Sequence, residues 1–385
     1  MTLVLQGGRV VDPGRGLDAP LDVRIEDGRI TAVGGDVSTE GAEVRRLDGA
    51  LVTPGLIDGH VHVYEGVGFH GIDPDVLGVG SGVTTVIDAG SSGAATFAGL
   101  RRYVIARART PVLVYLHLSV IGAPGGPSFG ELSSPDAIDE EAAERVIAAN
   151  RDVIVGIKIR ASRTAVGAMG LEPLRRGRAL ADRVKLPIMV HIGDPHPHDQ
   201  PPIAIQDVVK LLRPGDIVTH LFTGHPGGLL DANGRIHPEV REARDAGLRF
   251  DLGHGLNNMS FDTAARVLDQ DVQPHTISTD GHQLARDRLV YDLPTTMAKC
   301  LALGFTVPEV VEKATYETAR LVNRPDLVPG VAVGQPANLS VLRLEEADWQ
   351  AEDSMGQQLT ARQRLVPLLA IRGDEVFTPV ASTRP

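Results

Sequence analysis

The sequence predicts an α/β chain: a (β/α)8 TIM barrel with a small discontinuous β-sandwich domain from both termini. Two patterns and one length predict it. From Thr53 onward, short apolar runs alternate with helical stretches, the signature of βα units around a parallel sheet. The stretch 54–328 matches the usual size of such barrels, typically ~250 residues. At both ends of the chain the periodicity changes to two, the period of strands with one buried face.

The opening strands are "LVLQGGRVVD", "LDVRIEDGRITAVGG" and "EVRRLDGALVTPG". The Asp-Gly in "IEDGRI" marks a tight hairpin. Eight apolar runs follow: "GLIDGHVH", "VTTVIDAG", "PVLVYLHLS", "VIVGIKIRAS", "PIMVHIGD", "IVTHLFTG", "RFDLGHG" and "HTISTDGH". Between them lie helical patterns, "AATFAGLRRYVIARAR", "DEEAAERVIAAN", "LEPLRRGRALADRV", "HPEVREARDAG" and "SFDTAARVLDQ", and a last helical region runs from Pro294 to Val322. Beyond Pro329, "GVAVGQPANLSVLRL" and "QRLVPLLAIRGDEVFTP" return to period two. The expected division is therefore residues 1–53 plus 329–385 for the β domain and 54–328 for the barrel. "GAPGGPSFG" and the Pro- and His-rich "IGDPHPHDQPPIAI" read as loops at the barrel mouth.

Composition narrows the function. The 385 residues are 42% hydrophobic and 23% charged, ordinary for a soluble globular chain. A net charge of -11 argues against nucleic acid or an anionic membrane as partner and leaves a small-molecule substrate as the expectation. No apolar run approaches the roughly 18 residues of a membrane span. "MTLVLQGGRVVD" reads as a strand rather than a signal peptide. The single cysteine, Cys300, permits no internal disulfide and fits a reducing cytoplasm; within "TTMAKCLALG" it reads as core.

In such barrels the active site forms at the C-terminal ends of the strands. The first barrel run ends with His60 and His62, the fourth contains Lys158, the fifth ends with His191, the sixth with His220 and the eighth with Asp280. His60 and His62 share a face, because alternate strand residues point the same way. Inward at the mouth they can bind one ion, and imidazole with carboxylate suits zinc. Lys158 stands in an apolar strand with no carboxylate beside it in sequence. An unpaired buried ammonium is costly. Three remedies are open: a salt bridge, a Schiff base, or reaction with carbon dioxide to a carbamate that bridges two cations ~3.5–4 Å apart.

"PGLIDGHVH", the strand lysine, the two later histidines and the "STDGH" aspartate resemble the amidohydrolase superfamily. The resemblance covers nearly the whole chain. The nearest branch is the cyclic-amidase, D-aminoacylase and deacetylase group that carries a carboxylated lysine. "DAGSSGA", "VGIKIRAS" and "DLGHG" resemble its amidohydrolase/deacetylase metallohydrolases, which act on acetylated α-hydroxy acids such as acetyl-(R)-mandelate. The resemblance implies two divalent cations, zinc by ligand type. His60, His62 and Asp280 would bind one, His191 and His220 the other, and carboxylated Lys158 would bridge them. Asp280 would also be the general base and acid. The family usually places a bulkier residue after this aspartate; Gly281 stands here and suggests an altered floor or wall of the pocket. Related barrels often form homo-oligomers.

Substrate contacts are expected from Arg160, which shares the parity of Lys158, from His254 between glycines, and from His282, which shares the parity of Asp280 and could instead orient a ligand. Arg160 could equally pair with a loop acid. The expected activity is removal of an acetyl group from a small carboxylic acid. The alternatives are a cyclic amidase of the dihydroorotase or hydantoinase type, an N-acyl-D-amino acid deacylase, a Schiff-base lyase or isomerase on Lys158, and a non-catalytic scaffold. No Gly-x-Ser-x-Gly elbow points to a covalent serine route.

Overall fold

The computed structural model describes residues 2–125, 129–196 and 198–380. The strands in chain order are β1 (Thr2–Asp12), β2 (Leu17–Glu26), β3 (Arg29–Gly34), β4 (Glu43–Arg46) and β5 (Leu51–Pro54). Then come β6 (Leu56–Val61), β7 (Val83–Ala89), β8 (Val112–His117), β9 (Ile154–Arg160), β10 (Ile188–His191), β11 (Ile217–Thr219) and β12 (Arg249–Asp251). The last are β13 (Asn338–Glu352), β14 (Gln358–Arg372) and β15 (Glu375–Phe377).

The strands of both termini form one eight-stranded, mostly antiparallel sheet in the order β15-β14-β13-β5-β1-β2-β3, with β4 also on β1. The β2–β3 turn is the expected Asp-Gly hairpin: Asp27 and Gly28 both have positive φ, 47° and 74°. β5 joins the two halves of the chain, parallel to β1 and antiparallel to β13. Leu3, Leu5, Val23, Ile25, Val52, Leu339, Val341 and Ile371 fill its core. The β13–β14 hairpin is longer than that core needs. Its distal residues Trp349, Ala351, Ala361 and Leu365 pack instead into the main hydrophobic core of the barrel.

The seven strands β6 to β12 run parallel, in sequence order. β6, β7 and β8 are buried along their whole length, as expected of strands covered on both faces. The eighth run is not a regular strand. Residues 276–281 close the barrel through isolated bridges, Asp251 to Thr276 and Val61 to Gly281. Asp280 is left-handed there (φ 49°), which breaks the ladder and turns the side chain toward the mouth.

Most helical patterns form helices, and some carry side-chain caps, such as Glu140–Ala149 behind Asp139 and Phe261–Leu268 behind Ser260. "AATFAGLRRYVIARAR" departs from expectation: one short turn, Phe97–Gly99, runs into a π-helical stretch, Leu100–Ile105. The Tyr64 hydroxyl donates to Thr96 O at 2.9 Å, competing for a carbonyl that would start a regular α-helical ladder. Among the described residues no helix is long and apolar enough to cross a membrane. Cys300 is buried in the core, and burial pushes its thiol up to about 12.

Candidate active site

The C-terminal strand ends converge as strand parity requires. His60 and His62 both turn inward, and their Nε2 atoms lie 3.4 and 3.2 Å from the same oxygen, Asp280 Oδ1. These three side chains offer ligand atoms that all lie within 4.8 Å of one another. Their outer nitrogens are anchored: His62 Nδ1 to Ser91 Oγ at 3.0 Å, and His60 Nδ1 to Thr219 Oγ1 at 3.0 Å and Asp251 Oδ2 at 3.4 Å. Such partners fix the tautomer and aim Nε2 at the site. Asp251 is itself fully buried and accepts from Thr219, Thr276 and Ser278, each at 2.7 Å.

Beside this cluster stand His191 and His220, ring centroids 4.3 Å apart. His220 Nδ1 donates to Gly253 O at 2.7 Å, which directs Nε2 the other way. Both Nε2 atoms are buried and have no hydrogen-bond partner among the described residues. Buried polar atoms without partners are rare enough to need a cause. Burial pushes both His191 and His220 below the ordinary histidine range. That shift favours the neutral ring, the form that binds a cation.

Lys158 is fully buried, with Nζ 3.0 Å from His60 Nε2 and 3.8 Å from Met189 Sδ. Burial pulls its ammonium down to about 8, against the opposing pull of Asp280. Its stem passes directly over Gly90 (φ 94°), where a Cβ would stand 2.7 Å from Lys158 Cβ; only glycine fits there. Burial opposes ionisation of Asp280, yet the neighbouring His60 and the hydrogen bond from His62 hold its carboxyl well below the usual carboxylate range.

A cavity of about 170 Å³ opens over these groups, lined by His62, Lys158, His191 and Asp280. Arg160 and His282 also line it. Arg160 makes the loop-acid pair, donating to Glu131 Oε1 at 3.0 Å, while staying on the cavity wall. His282 keeps a buried Nδ1 without a partner among the described residues and packs edge-on against His70 at 4.6 Å. His254, expected at the substrate, stands elsewhere. It is fully enclosed, with Nδ1 on Gly255 O and Nε2 on Lys299 Nζ, both at 2.9 Å, and the cavity lining passes it by. Gly281 corrects a second expectation. A Cβ there would meet Thr279 Oγ1 at 2.5 Å and Leu77 Cδ1 at 2.9 Å. It packs against Leu77 and is not among the residues lining the cavity.

Sequence reasoning missed His70, which lines the cavity from a loop rather than a strand end, and Glu131, which anchors Arg160. Neither carries a local signal. Asp251 did carry one: a carboxylate inside "RFDLGHG" invites the same question as Lys158.

A barrel whose strand ends gather imidazoles and a carboxylate in ligand-like array over a small cavity fits a hydrolase of metal-site type. The model of the Amidohydrolase family matches residues 51–363, and the chain belongs to that family. It is 34% identical to a deacetylase of Brucella anthropi, over 94% of this chain and 89% of that one. A crystal structure described as a dihydroorotase superposes with a TM-score of 0.90 at 34% identity, covering 98% of each chain. One described as an adenine deaminase gives 0.86 at 30%, covering 98% of this chain and 99% of that one.

Proposed function

We propose that this chain is a binuclear metal-dependent hydrolase that removes an acetyl group from a small carboxylic acid, such as an acetylated α-hydroxy acid. His60, His62 and Asp280 would hold one divalent cation, His191 and His220 a second, and carboxylated Lys158 would join them. The observation that carries the reading is the pair of orphaned Nε2 atoms on His191 and His220 beside the His60–His62–Asp280 cluster. Two neutral donors and three more within one small volume fit cations better than any hydrogen-bond network the chain itself supplies. Zinc suits this imidazole-rich set. Such cations, when bound, supply the charge that polarises a scissile carbonyl and acidifies the attacking water.

The chain's own residues supply the rest. Asp280, held ionised, accepts the proton of the attacking water and returns it to the leaving oxygen or nitrogen. Arg160, steadied by Glu131, offers its guanidinium to the substrate carboxylate. Phe69, Leu256 and Leu284 give the mouth an apolar rim that limits water around the reacting carbonyl. The volume of about 170 Å³ suits a small acid rather than a polymer.

The deacetylase relative supports the acetyl reading, and the likeness to a dihydroorotase structure supports ring amides as the rival. Chain loaded with zinc and bicarbonate should be offered acetylated α-hydroxy acids, N-acetyl-D-amino acids and cyclic ureides. Acetate release, lost on chelation, is the expected result. Turnover of the ring substrates alone would overturn the deacetylase reading in favour of a cyclic amidase.

A further inference from the structure

Helix Leu293–Ala302 carries a second buried lysine that the chemistry above does not use. Lys299 is 1% exposed, and an enclosed ammonium needs an acceptor for each proton. It has three: His254 Nε2 at 2.9 Å, Leu289 O at 2.7 Å and Glu352 O at 2.7 Å. The first fixes the tautomer of His254, whose Nδ1 then donates to Gly255 O at 2.9 Å.

The three acceptors belong to three separate segments. His254 opens the loop whose Leu256, Asn257 and Asn258 line the cavity. Leu289 follows the cavity residues His282 and Leu284, and its left-handed φ of 72° is costly for leucine. Glu352 ends β13 at the hairpin tip. That tip grips the same loop from its other side. Ser354 Oγ donates to Gly255 O at 3.1 Å, Ser354 N to Met259 O at 2.8 Å, and Phe261 N to Asp353 Oδ2 at 2.7 Å.

The loop presses directly on the proposed base. Gly255 (φ 55°) lies so close to Asp280 that a Cβ would stand 2.4 Å from its Oδ2. Gly255 N donates to Thr279 O at 2.9 Å, and Asn258 Nδ2 reaches Asp280 Oδ2 at 3.5 Å.

We infer that Lys299 is a positioning residue: it fastens two of the segments that wall the cavity to the tip of the terminal hairpin, and through Gly255 and Asn258 it sets where Asp280 and the substrate stand. The inference rests on the hydrolase reading, not on the metal count or the acyl group.

The test uses the full metal-loaded chain. Lys299→Met removes all three bonds at similar length, and Ser354→Ala loosens the grip from the hairpin side without stranding a charge. For Lys299→Met the expected kcat/KM falls about 10- to 100-fold, the scale of a small misplacement in an active site. Both a raised KM and a lowered kcat contribute. Amide exchange quickens in 254–261 and 284–292, while exchange in β6, β9 and β10 and the metal content match the parent. Ser354→Ala shows the same split, smaller. Unchanged kcat and KM in a folded, metal-loaded Lys299→Met would overturn the inference. If that variant does not fold, unchanged kinetics and exchange in Ser354→Ala overturn it. Absence of hydrolysis in the parent would fault the functional reading instead, and the exchange data would still judge the fastening role.

Discussion

His62 Nε2 stands 3.2 Å from Asp280 Oδ1 because the barrel closes between them. His62 N donates to Gly281 O at 2.8 Å, and Val61 bridges Gly281 across the seam. The pair exists only once the first and last barrel segments meet, so the site reports directly on completion of the fold.

Asp280 carries the proton in the proposed reaction. Asp280→Asn keeps the side-chain shape but loses the base, so kcat should fall about 100- to 10,000-fold, the usual worth of acid–base catalysis. Steady-state kinetics with metal analysis checks this. Loss of both activity and metal would assign Asp280 mainly to ligation.

Lys158 is enclosed with its amine pulled down to about 8. A neutral amine is the form that reacts with carbon dioxide, so at a fixed concentration of dissolved carbon dioxide metal-free chain should load faster as pH rises through that value. With 13C-bicarbonate, a carbamate carbon signal is expected in the parent and not in Lys158→Met. A trapped borohydride adduct at Lys158 in place of that signal would instead establish Schiff-base chemistry.

Arg160 is held by Glu131 on the cavity wall. Arg160→Met should raise KM for free carboxylate substrates about 10- to 100-fold, the loss of a charge-assisted pair. KM for the matching methyl esters should move little. Equal effects on acid and ester would remove Arg160 from carboxylate binding.

Gly255 touches Asp280 in a left-handed conformation. Gly255→Ala forces a Cβ into the space of Asp280 Oδ2. An activity loss of at least about 10-fold is expected beyond any fall in Tm, since displacement of a reacting group is felt steeply.

Burial holds His70 at about 3 and His282 at about 4. The unfolded chain protonates each near pH 6.5. A lowered folded-state value means the stabilisation is present above 6.5 and is lost as pH falls toward 3–4. Each ring then contributes up to about 1.4 kcal/mol per pH unit within that window. Tm of the metal-free protein should drop steeply from pH 7 to 5. A flat Tm over that range would show that folding does not lower the proton affinity of these rings.

Much of this protein was legible in its sequence. Strand period, helix spacing and one length gave the barrel and the terminal β strands, because burying one face of a strand or helix leaves a local pattern. Parity alone put His60 beside His62 and Lys158 beside Arg160 on a shared face. Tertiary structure decided what depends on contacts distant in sequence. It enclosed His254 behind Lys299, turned Gly281 toward Leu77, and brought His70 and Glu131 to the cavity from loops. It also reduced the eighth strand to two bridges, since the left-handed Asp280 ends any ladder. A strand's direction is written in neighbouring residues; what fills the space in front of it is set by segments that meet only when the barrel shuts.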